Sequence, residues 1–264
     1  MNYAKTVRRD NICNLCENTY PSLTWDHVPP KGGLDLSAME IRSYSNANFN
    51  PKSSFRSISQ NGLKFRTLCG KCNNEILGSK NDDCFNQLMK DVKQIIMSQL
   101  VLPSIITLKT YPTKIIKAVL GHLLASKTDF CKTKLDNITR VYLLDEEAEL
   151  AKNIHVYWWI FPYDCTIIRN DVLQLNPNTG AITYYSVLKC FPLGFAVSYN
   201  CELKELGLIE FTKYNNSNKS CKVDIPLTTI DIKNWDYPEQ LRYSGIQLVN
   251  TEANDIFASK KVKG

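Results

Sequence analysis

The chain has 264 residues, of which 44% are hydrophobic and 22% are charged, as in globular proteins and unlike disordered or fibrous ones. It has no stretch of about 18 apolar residues and no apolar N-terminal segment, so we expect neither a membrane span nor a secretory signal. The net charge is +6, and residues 1–80 carry 11 Lys and Arg against 6 Asp and Glu. This basic excess favours a polyanionic partner such as nucleic acid, with a solvated basic surface as the alternative.

Two C-x-x-C motifs, separated by 52 residues, lie in a region rich in Asn, Gly, Ser and Pro. Each motif places two thiolates on one side of a metal, and two motifs complete the tetrahedral four-sulfur site that zinc prefers. We therefore predict a structural zinc ion bound by Cys13, Cys16, Cys69 and Cys72. Two unrelated reduced pairs, or one redox motif, are the alternatives. Without a visible secretory signal, the expected location is the reducing cytoplasm.

Between the two motifs lies the segment Thr24–Pro30 (TWDHVPP), and Asn73-Asn74 directly follows the second motif. The order ICNLC, WDHVPP, LCGKCNN over residues 11–80 resembles the HNH nuclease family. In that family a C-x-x-C is followed by an Asp-His strand and then by a second C-x-x-C with His or Asn after it. The resemblance implies a ββα-metal (His-Me finger, treble-clef-like) unit, in which a β-hairpin and a helix hold a catalytic divalent cation.

The resemblance also implies roles for three residues. His27 would be the general base, which suits an imidazole that titrates near neutral pH. Asp26 and Asn73 would bind Mg²⁺ or Mn²⁺ through oxygen atoms, the ligands that these hard ions prefer. Because neighbours on an ideal strand point to opposite sides, Asp26 in this role requires an irregular hairpin. As isolated residues, His27 and Asp26 can brace or cap a turn, and Asn73 can cap a helix.

One position departs from the family pattern. The middle Asn of the family, which braces the catalytic His, falls at about Lys64, so Asn61 or Gln60 would have to replace it in a shifted loop. The predicted phosphate contacts are the basic residues of the motif region, any of which can instead be a solvated charge: Lys31, Arg56, Lys64, Arg66 and Lys71. The polar stretch Ser43–Gln60 is predicted to be an exposed loop.

The remaining chain predicts helices and then strands. Apolar spacing predicts a helix that begins at Asp82 or Asp83 and reaches Ile96, a second from Pro112 to Lys127 and a short third at Asp145–Lys152. Segments rich in β-branched and aromatic residues predict five strands: Ile154–Phe161, Cys165–Arg169, Ala181–Phe191, Gly194–Tyr199 and Leu208–Tyr214. We interpret His122 and His155 as packing residues. We interpret Tyr157-Trp158-Trp159 as part of a buried strand rather than a base-stacking surface.

The sequence therefore predicts an α+β protein with two domains. Residues 1–80 would form a zinc-stapled ββα-metal nuclease domain. Residues 81–264 would form a helix-then-antiparallel-sheet domain that supplies specificity, oligomerisation or regulation.

The expected function is that of a metal-dependent endonuclease that hydrolyses phosphodiester bonds, with DNA expected before RNA. The main alternative is a non-catalytic zinc-binding module for nucleic acid or protein, and the second is a toxin-like ribonuclease. A role in microbial defence, and a second copy or a regulatory protein as partner, are expectations of the resemblance alone.

Overall fold

The computed structural model describes residues 5–33, 37–50, 52, 56–78, 81–98, 101–129, 132–175, 180, 182–203, 206–215, 219–227, 234–239, 246–249 and 255–260. These residues form an α+β fold with a large antiparallel sheet, as the sequence predicts. The strands are β1 (Thr24–His27), β2 (Met39–Ser43), β3 (Ser57–Ser59), β4 (Lys64–Leu68), β5 (Ile105–Thr110), β6 (Ile154–Ile160), β7 (Cys165–Leu175), β8 (Ile182–Cys190), β9 (Leu193–Tyr199), β10 (Ile209–Glu210), β11 (Cys221–Pro226), β12 (Ile246–Val249) and β13 (Asp255–Lys260).

The helical segments are α1 (Tyr44–Phe49), a π-helical segment (Cys72–Leu77), α2 (Asn81–Ile96), α3 (Pro112–Ala125) and α4 (Lys134–Leu144). Apolar spacing predicts α2 and α3, which begin and end close to the predicted positions, and it does not predict the other three. In the part of the chain that the structure describes, none of these helices has the length and apolar character needed to cross a membrane.

The predicted helix Asp145–Lys152 is wrong, because the helical residues lie immediately before it, in α4. The Thr133 hydroxyl accepts a hydrogen bond from the Asp136 amide, and the Asp136 carboxylate accepts one from the Thr133 amide. This reciprocal cap starts the helix upstream of the acidic cluster. The Asp145 carboxylate accepts instead from the Glu147 amide and stabilises a turn.

The nine-stranded sheet has the order β10-β6-β9-β8-β7-β13-β2-β3, with β12 also paired to β7, and all of its pairs are antiparallel. The strand β7 continues past its predicted end at Arg169 through a register shift before Val172. Its two halves pair separately, the first with β13 and the second with β12. Residues 176–180 (NPNTG), a turn signal in the sequence, lie outside the described residues except for Gly180.

The polar stretch Ser43–Gln60 is not simply a loop. Its first residue ends β2 and caps α1 through its hydroxyl, which accepts a hydrogen bond from the Asn46 amide. The strand β3 then pairs with β2, so two strands from the first 80 residues belong to the large sheet. Tyr44 is buried, and its ring lies 5.5 Å from the ring of Trp235.

A second, smaller body carries the cysteines. We call residues 11–30 and 63–78 the cysteine unit; it contains the antiparallel pair β1–β4 and the π-helical segment that follows β4. Its Asn14 side-chain amide donates hydrogen bonds to the carbonyl oxygens of Leu124 (2.9 Å) and Lys127 (2.7 Å) at the end of α3. The Arg140 guanidinium donates to the Asn14 carbonyl oxygen at 2.7 Å. The unit is therefore docked onto α3 and α4.

One hydrophobic core joins the cysteine unit, the helices and one face of the large sheet. It contains Phe65 of β4, Val119 of α3 and Trp158 of β6. The ring of Phe85 in α2 lies 5.6 Å from that of Phe195 in β9, which fixes α2 against the sheet. The division into domains at residue 80 stays a prediction.

Candidate active site

The four motif cysteines lie together at one end of the cysteine unit. Their Sγ atoms are all within 4.8 Å of one another, and those of Cys16 and Cys69 are 3.9 Å apart. A tetrahedral zinc ion with bonds of about 2.3 Å has sulfur–sulfur edges of about 3.8 Å. Among the described residues, no other group of three or more Cys, His, Asp or Glu is close enough to share a metal ion. The four cysteines thus form one cluster within metal-binding distance, as predicted.

Local backbone geometry explains why the sequence folds into this cluster. The Cys13 amide donates to the Asn18 carbonyl oxygen, and Glu17 adopts a left-handed conformation with φ of 60°, so the first motif forms a tight turn. The Cys69 amide points at the sulfur of Cys13 at 3.3 Å, and the Cys72 amide points at that of Cys69 at 3.5 Å. Amides directed at sulfur stabilise thiolates, the form in which cysteine binds a metal.

A cleft with a volume of about 330 Å³ lies beside the cluster. Its walls come from β1, the π-helical segment and the start of α2, and they include Trp25, Asp26, His27, Lys31, Asn73 and Asp82. The pairing of β1 with β4 shifts register between Thr24 and Trp25. Asp26 and His27 follow this shift, and both line the cleft although an ideal strand would direct successive side chains to opposite sides.

The His27 ring is oriented by a backbone carbonyl group. Its Nε2 lies 3.0 Å from the Asn61 carbonyl oxygen, which can only accept, so Nε2 carries the proton. Asn61 adopts φ of 59°, a left-handed conformation that the Asn61-Gly62 turn makes accessible. Burial lowers the pKa of His27, and the nearby Lys64 ammonium adds to this effect. The imidazole is therefore neutral near pH 7 with Nδ1 as its basic atom.

Lys64 and Asn61 have different relations to His27. Lys64 lies directly opposite His27 in the β1–β4 pair, at the position where the resemblance leads us to expect Asn. Asn61, three residues earlier, makes the contact to the His27 ring instead.

Asn73 is held with its amide oxygen available. Its Nδ2 donates hydrogen bonds to the Thr24 hydroxyl and to the Trp25 carbonyl oxygen, both at 3.1 Å. Because the Trp25 carbonyl only accepts, the amide nitrogen must face β1. The Oδ1 atom has no hydrogen bond to it in the part of the chain that the structure describes. An amide oxygen held in this way suits a hard cation.

A buried histidine connects Asp26 to the start of α2. His122 of α3 is completely buried, and its Nε2 lies 2.8 Å from a carboxylate oxygen of Asp82. Its Nδ1 faces Asp26 Oδ2 at 3.4 Å, and neither of these two atoms has a hydrogen bond within the described ranges. Burial opposes the charged form, but the carboxylates of Asp82 and Asp26 outweigh it and raise the pKa of His122 to about 10.

The charges of the Asp26–His122–Asp82 cluster affect whether the cleft can bind a metal ion. Two formal negative charges and one positive charge give this cluster by itself a net charge of −1, and Lys31 adds a positive charge to the same cleft. Mg²⁺ commonly takes only one or two protein oxygen ligands and completes its octahedron with water and substrate phosphate. Asp26 and Asn73 both line the cleft and carry side-chain oxygen atoms of the type that such an ion requires.

The predicted phosphate-binding residues divide into two groups. Lys31 lines the cleft, and the Lys64 ammonium lies 6.0 Å from the centre of the Trp25 ring. Arg66 donates to the Leu23 carbonyl oxygen at 2.9 Å, so its guanidinium braces the unit. Lys71 is exposed in the second C-x-x-C turn, and Arg56 pairs with Glu40 at 3.1 Å. Only the first two are placed beside the candidate site.

Sequence reasoning gives no functional role to three residues in or behind the cleft. It places Asp82 at the start of a helix, interprets His122 as a packing residue and does not mark Trp25. The Asn-Gly dipeptide at 61–62 is a recognisable turn signal. No local pattern marks His122, because it lies 95 residues from His27 in the chain.

Comparison with known proteins adds no relative. The chain matches no protein-family model, no curated protein and no solved structure. Its function is therefore inferred from the side chains around the cleft and the cysteine cluster.

Proposed function

We propose that this protein is a metal-dependent endonuclease of the HNH type that hydrolyses phosphodiester bonds, with DNA as the first substrate to test. The observation that carries the proposal is the convergence of His27, Asp26 and Asn73 on one cleft beside the cysteine cluster. Asp26 and His27 come from β1, and Asn73 comes from the π-helical segment that follows β4, the partner strand of β1. A binding module would require none of these three side chains.

His27 would act as the general base. Its Nε2 is occupied by the Asn61 carbonyl, so Nδ1 would take a proton from the attacking water. The water oxygen forms the new bond to phosphorus, and the bond from phosphorus to the leaving sugar oxygen breaks. Lys31, at the rim, would attract the phosphate.

Two metal ions would serve different purposes. A zinc ion on Cys13, Cys16, Cys69 and Cys72 would be structural, since four thiolates leave no open position. Asp26 and Asn73 would hold Mg²⁺ or Mn²⁺, which supplies charge stabilisation for the phosphate and the leaving oxygen.

The test compares wild type with His27→Ala on plasmid DNA and total RNA, with Mg²⁺ or Mn²⁺ and without added divalent cation. We expect metal-dependent cleavage by the wild type and a loss of at least about 100-fold in His27→Ala, the usual scale of a lost general base. The matched control is His155→Ala. The His155 ring is hydrogen-bonded to the Glu210 carboxylate, and His155 lies outside the cleft.

The zinc content of each variant shows whether the cysteine unit is intact. Equal cleavage by wild type and a zinc-loaded His27→Ala would overturn the assignment of the base. If both are inert but bind nucleic acid equally, the non-catalytic module is the better description. The substrate that disappears decides between DNA and RNA.

A further inference from the structure

Trp25 differs from the other tryptophans whose side chains the structure describes. Trp158 and Trp159 are 0% and 1% exposed within β6, whereas the Trp25 side chain is 51% exposed and lines the cleft. An exposed aromatic ring beside a basic residue is the usual platform for a nucleobase. The Lys64 ammonium, 6.0 Å from the ring centre, supplies that positive charge.

A second cavity, of about 310 Å³, opens on the other side of His27. The cysteine unit contributes Val28 and Leu63 to its wall, and the large sheet contributes Cys190 and the adjoining Phe191. The lining is mainly apolar, and the volume is at the lower end of small-ligand sites. His27 lies in the walls of both cavities, so an occupant of this one sits beside the proposed scissile phosphate.

Polar groups at this cavity are suited to the hydrogen-bonding edge of a nucleobase and to the phosphates of a nucleotide. Ser37 lines the cavity, and its hydroxyl is enclosed in the wall without a hydrogen-bond partner among the residues described. Lys93, Lys260 and Asp164 also line the cavity, and Lys260 pairs with Asp164 at 3.0 Å. An apolar slot with an unsatisfied hydroxyl in its wall, and with two lysines against one aspartate at its rim, suits a nucleobase with its phosphate outside.

We propose that the substrate strand is bound single-stranded across His27, with one base stacked on Trp25 and a neighbouring base in the cavity lined by Ser37. The proposal rests on the proposed nuclease function and names the substrate class of that site. Paired and stacked bases in a duplex have no free face for Trp25 and cannot enter the cavity without extrusion. Single strands, or duplexes opened locally, are therefore the preferred substrates.

Binding is measured without cleavage, by fluorescence anisotropy of a labelled DNA strand in buffer without Mg²⁺ and without chelator, so that zinc stays bound. The probes are a mixed-sequence single strand, the same strand as a duplex, and a strand of equal length with abasic tetrahydrofuran residues. We expect the wild type to bind the single strand at least about tenfold more tightly than the abasic strand, the scale of base–aromatic stacking. The duplex should bind more weakly than the single strand.

Two variants test the two base sites. Trp25→Ala should weaken single-strand binding about tenfold and leave abasic-strand binding unchanged, whereas Trp25→Phe should retain affinity. Ser37→Phe, which fills the cavity, should have the same selective effect, while Ser37→Ala should lose only the hydroxyl contact. Phe49→Ala is the control, because Phe49 is a highly exposed aromatic residue on α1 that does not line either cavity.

The outcomes separate this proposal from the nuclease assignment. Failure of the wild type to cleave any strand with Mg²⁺ or Mn²⁺ counts against the nuclease function, whereas Trp25-dependent binding of single strands still supports the base sites. Equal affinity for single strand and duplex, or unchanged single-strand binding by folded, zinc-loaded Trp25→Ala and Ser37→Phe, overturns the proposal. An effect of Ser37→Phe that is equal for normal and abasic strands also overturns the base site in the cavity.

Discussion

The cysteine unit and the nine-stranded sheet are stabilised in different ways. In the unit, β1 has four residues and β4 has five, and a two-stranded pair of this size is marginal in water on its own. The large sheet buries apolar side chains on both faces of β6. It also carries a fully buried ion pair, in which Lys189 Nζ lies 2.6 Å from a carboxylate oxygen of Glu239. The candidate site thus lies on the smaller body, which docking onto α3 stabilises and which we expect a metal ion on the four cysteines to stabilise further.

The largest expected effect is loss of the metal cluster through Cys72→Ser. Structural zinc contributes an apparent binding free energy of about 10–16 kcal/mol at neutral pH, much more than the unit can recover elsewhere. We expect loss of zinc and proteolytic sensitivity in residues 11–30 and 63–78, while the near-UV circular dichroism of Trp158 and Trp159 persists. Cys84→Ser is the control, since Cys84 lies on α2 outside the cluster. A protease-resistant, zinc-free Cys72→Ser protein would contradict the comparison.

The next effect concerns the link between α2 and the site. Asp82→Asn removes the carboxylate that His122 binds at 2.8 Å, and His122 faces Asp26. Residues that orient metal ligands typically change metal affinity by about 10–100-fold. We expect the Mg²⁺ or Mn²⁺ concentration for half-maximal cleavage to rise by that factor with zinc content unchanged. The neighbouring exposed Asp83→Asn should leave the metal requirement unaltered; equal shifts in both variants would mean a general charge effect.

A smaller effect is expected where α3 meets the π-helical segment. A Cβ atom added at Gly121 would lie 2.3 Å from a methyl carbon of Leu77, which is buried. Overpacking of this kind costs about 1–3 kcal/mol, so Gly121→Ala should lower the free energy of unfolding in urea titrations. The additional change Leu77→Ala should restore part of the loss by making room. Gly70→Ala is the matched control, because its nearest neighbour would be 3.8 Å away; a loss as large there would exclude the packing explanation.

The smallest effect belongs to a surface ion pair. The Arg56 side chain is half exposed and pairs with Glu40 at 3.1 Å. Exposed pairs contribute up to about 1 kcal/mol, so Arg56→Ala should scarcely change the urea midpoint. It should also leave nucleic-acid binding unchanged, because Arg56 lines neither cavity. A large loss of nucleic-acid binding would mean that Arg56 does contact the phosphates.

Local patterns predicted much of the fold. Apolar spacing located α2 and α3, and β-branched and aromatic runs located β6, β8 and β9, because these signals are contained within one element. The pair β5–β11 was not predicted, because its two strands meet across more than a hundred residues. The extension of β7 past Arg169 was missed because Asn170-Asp171 resembles a turn in sequence, although here it forms a register shift inside the strand.

The sequence by itself determined the cysteine cluster and the candidate residues Asp26, His27 and Asn73. Cysteine pairs at C-x-x-C spacing meet a metal through one turn of backbone, so little else of the fold is needed to predict them.

Only the tertiary structure decided that His122 joins Asp82 to Asp26, that Asn61 rather than residue 64 orients His27, and that Trp25 stays exposed beside the cleft. These contacts depend on how α2, α3 and the large sheet pack around the cysteine unit. Packing between distant segments leaves no period or spacing in the chain, which is why the sequence alone did not reveal them.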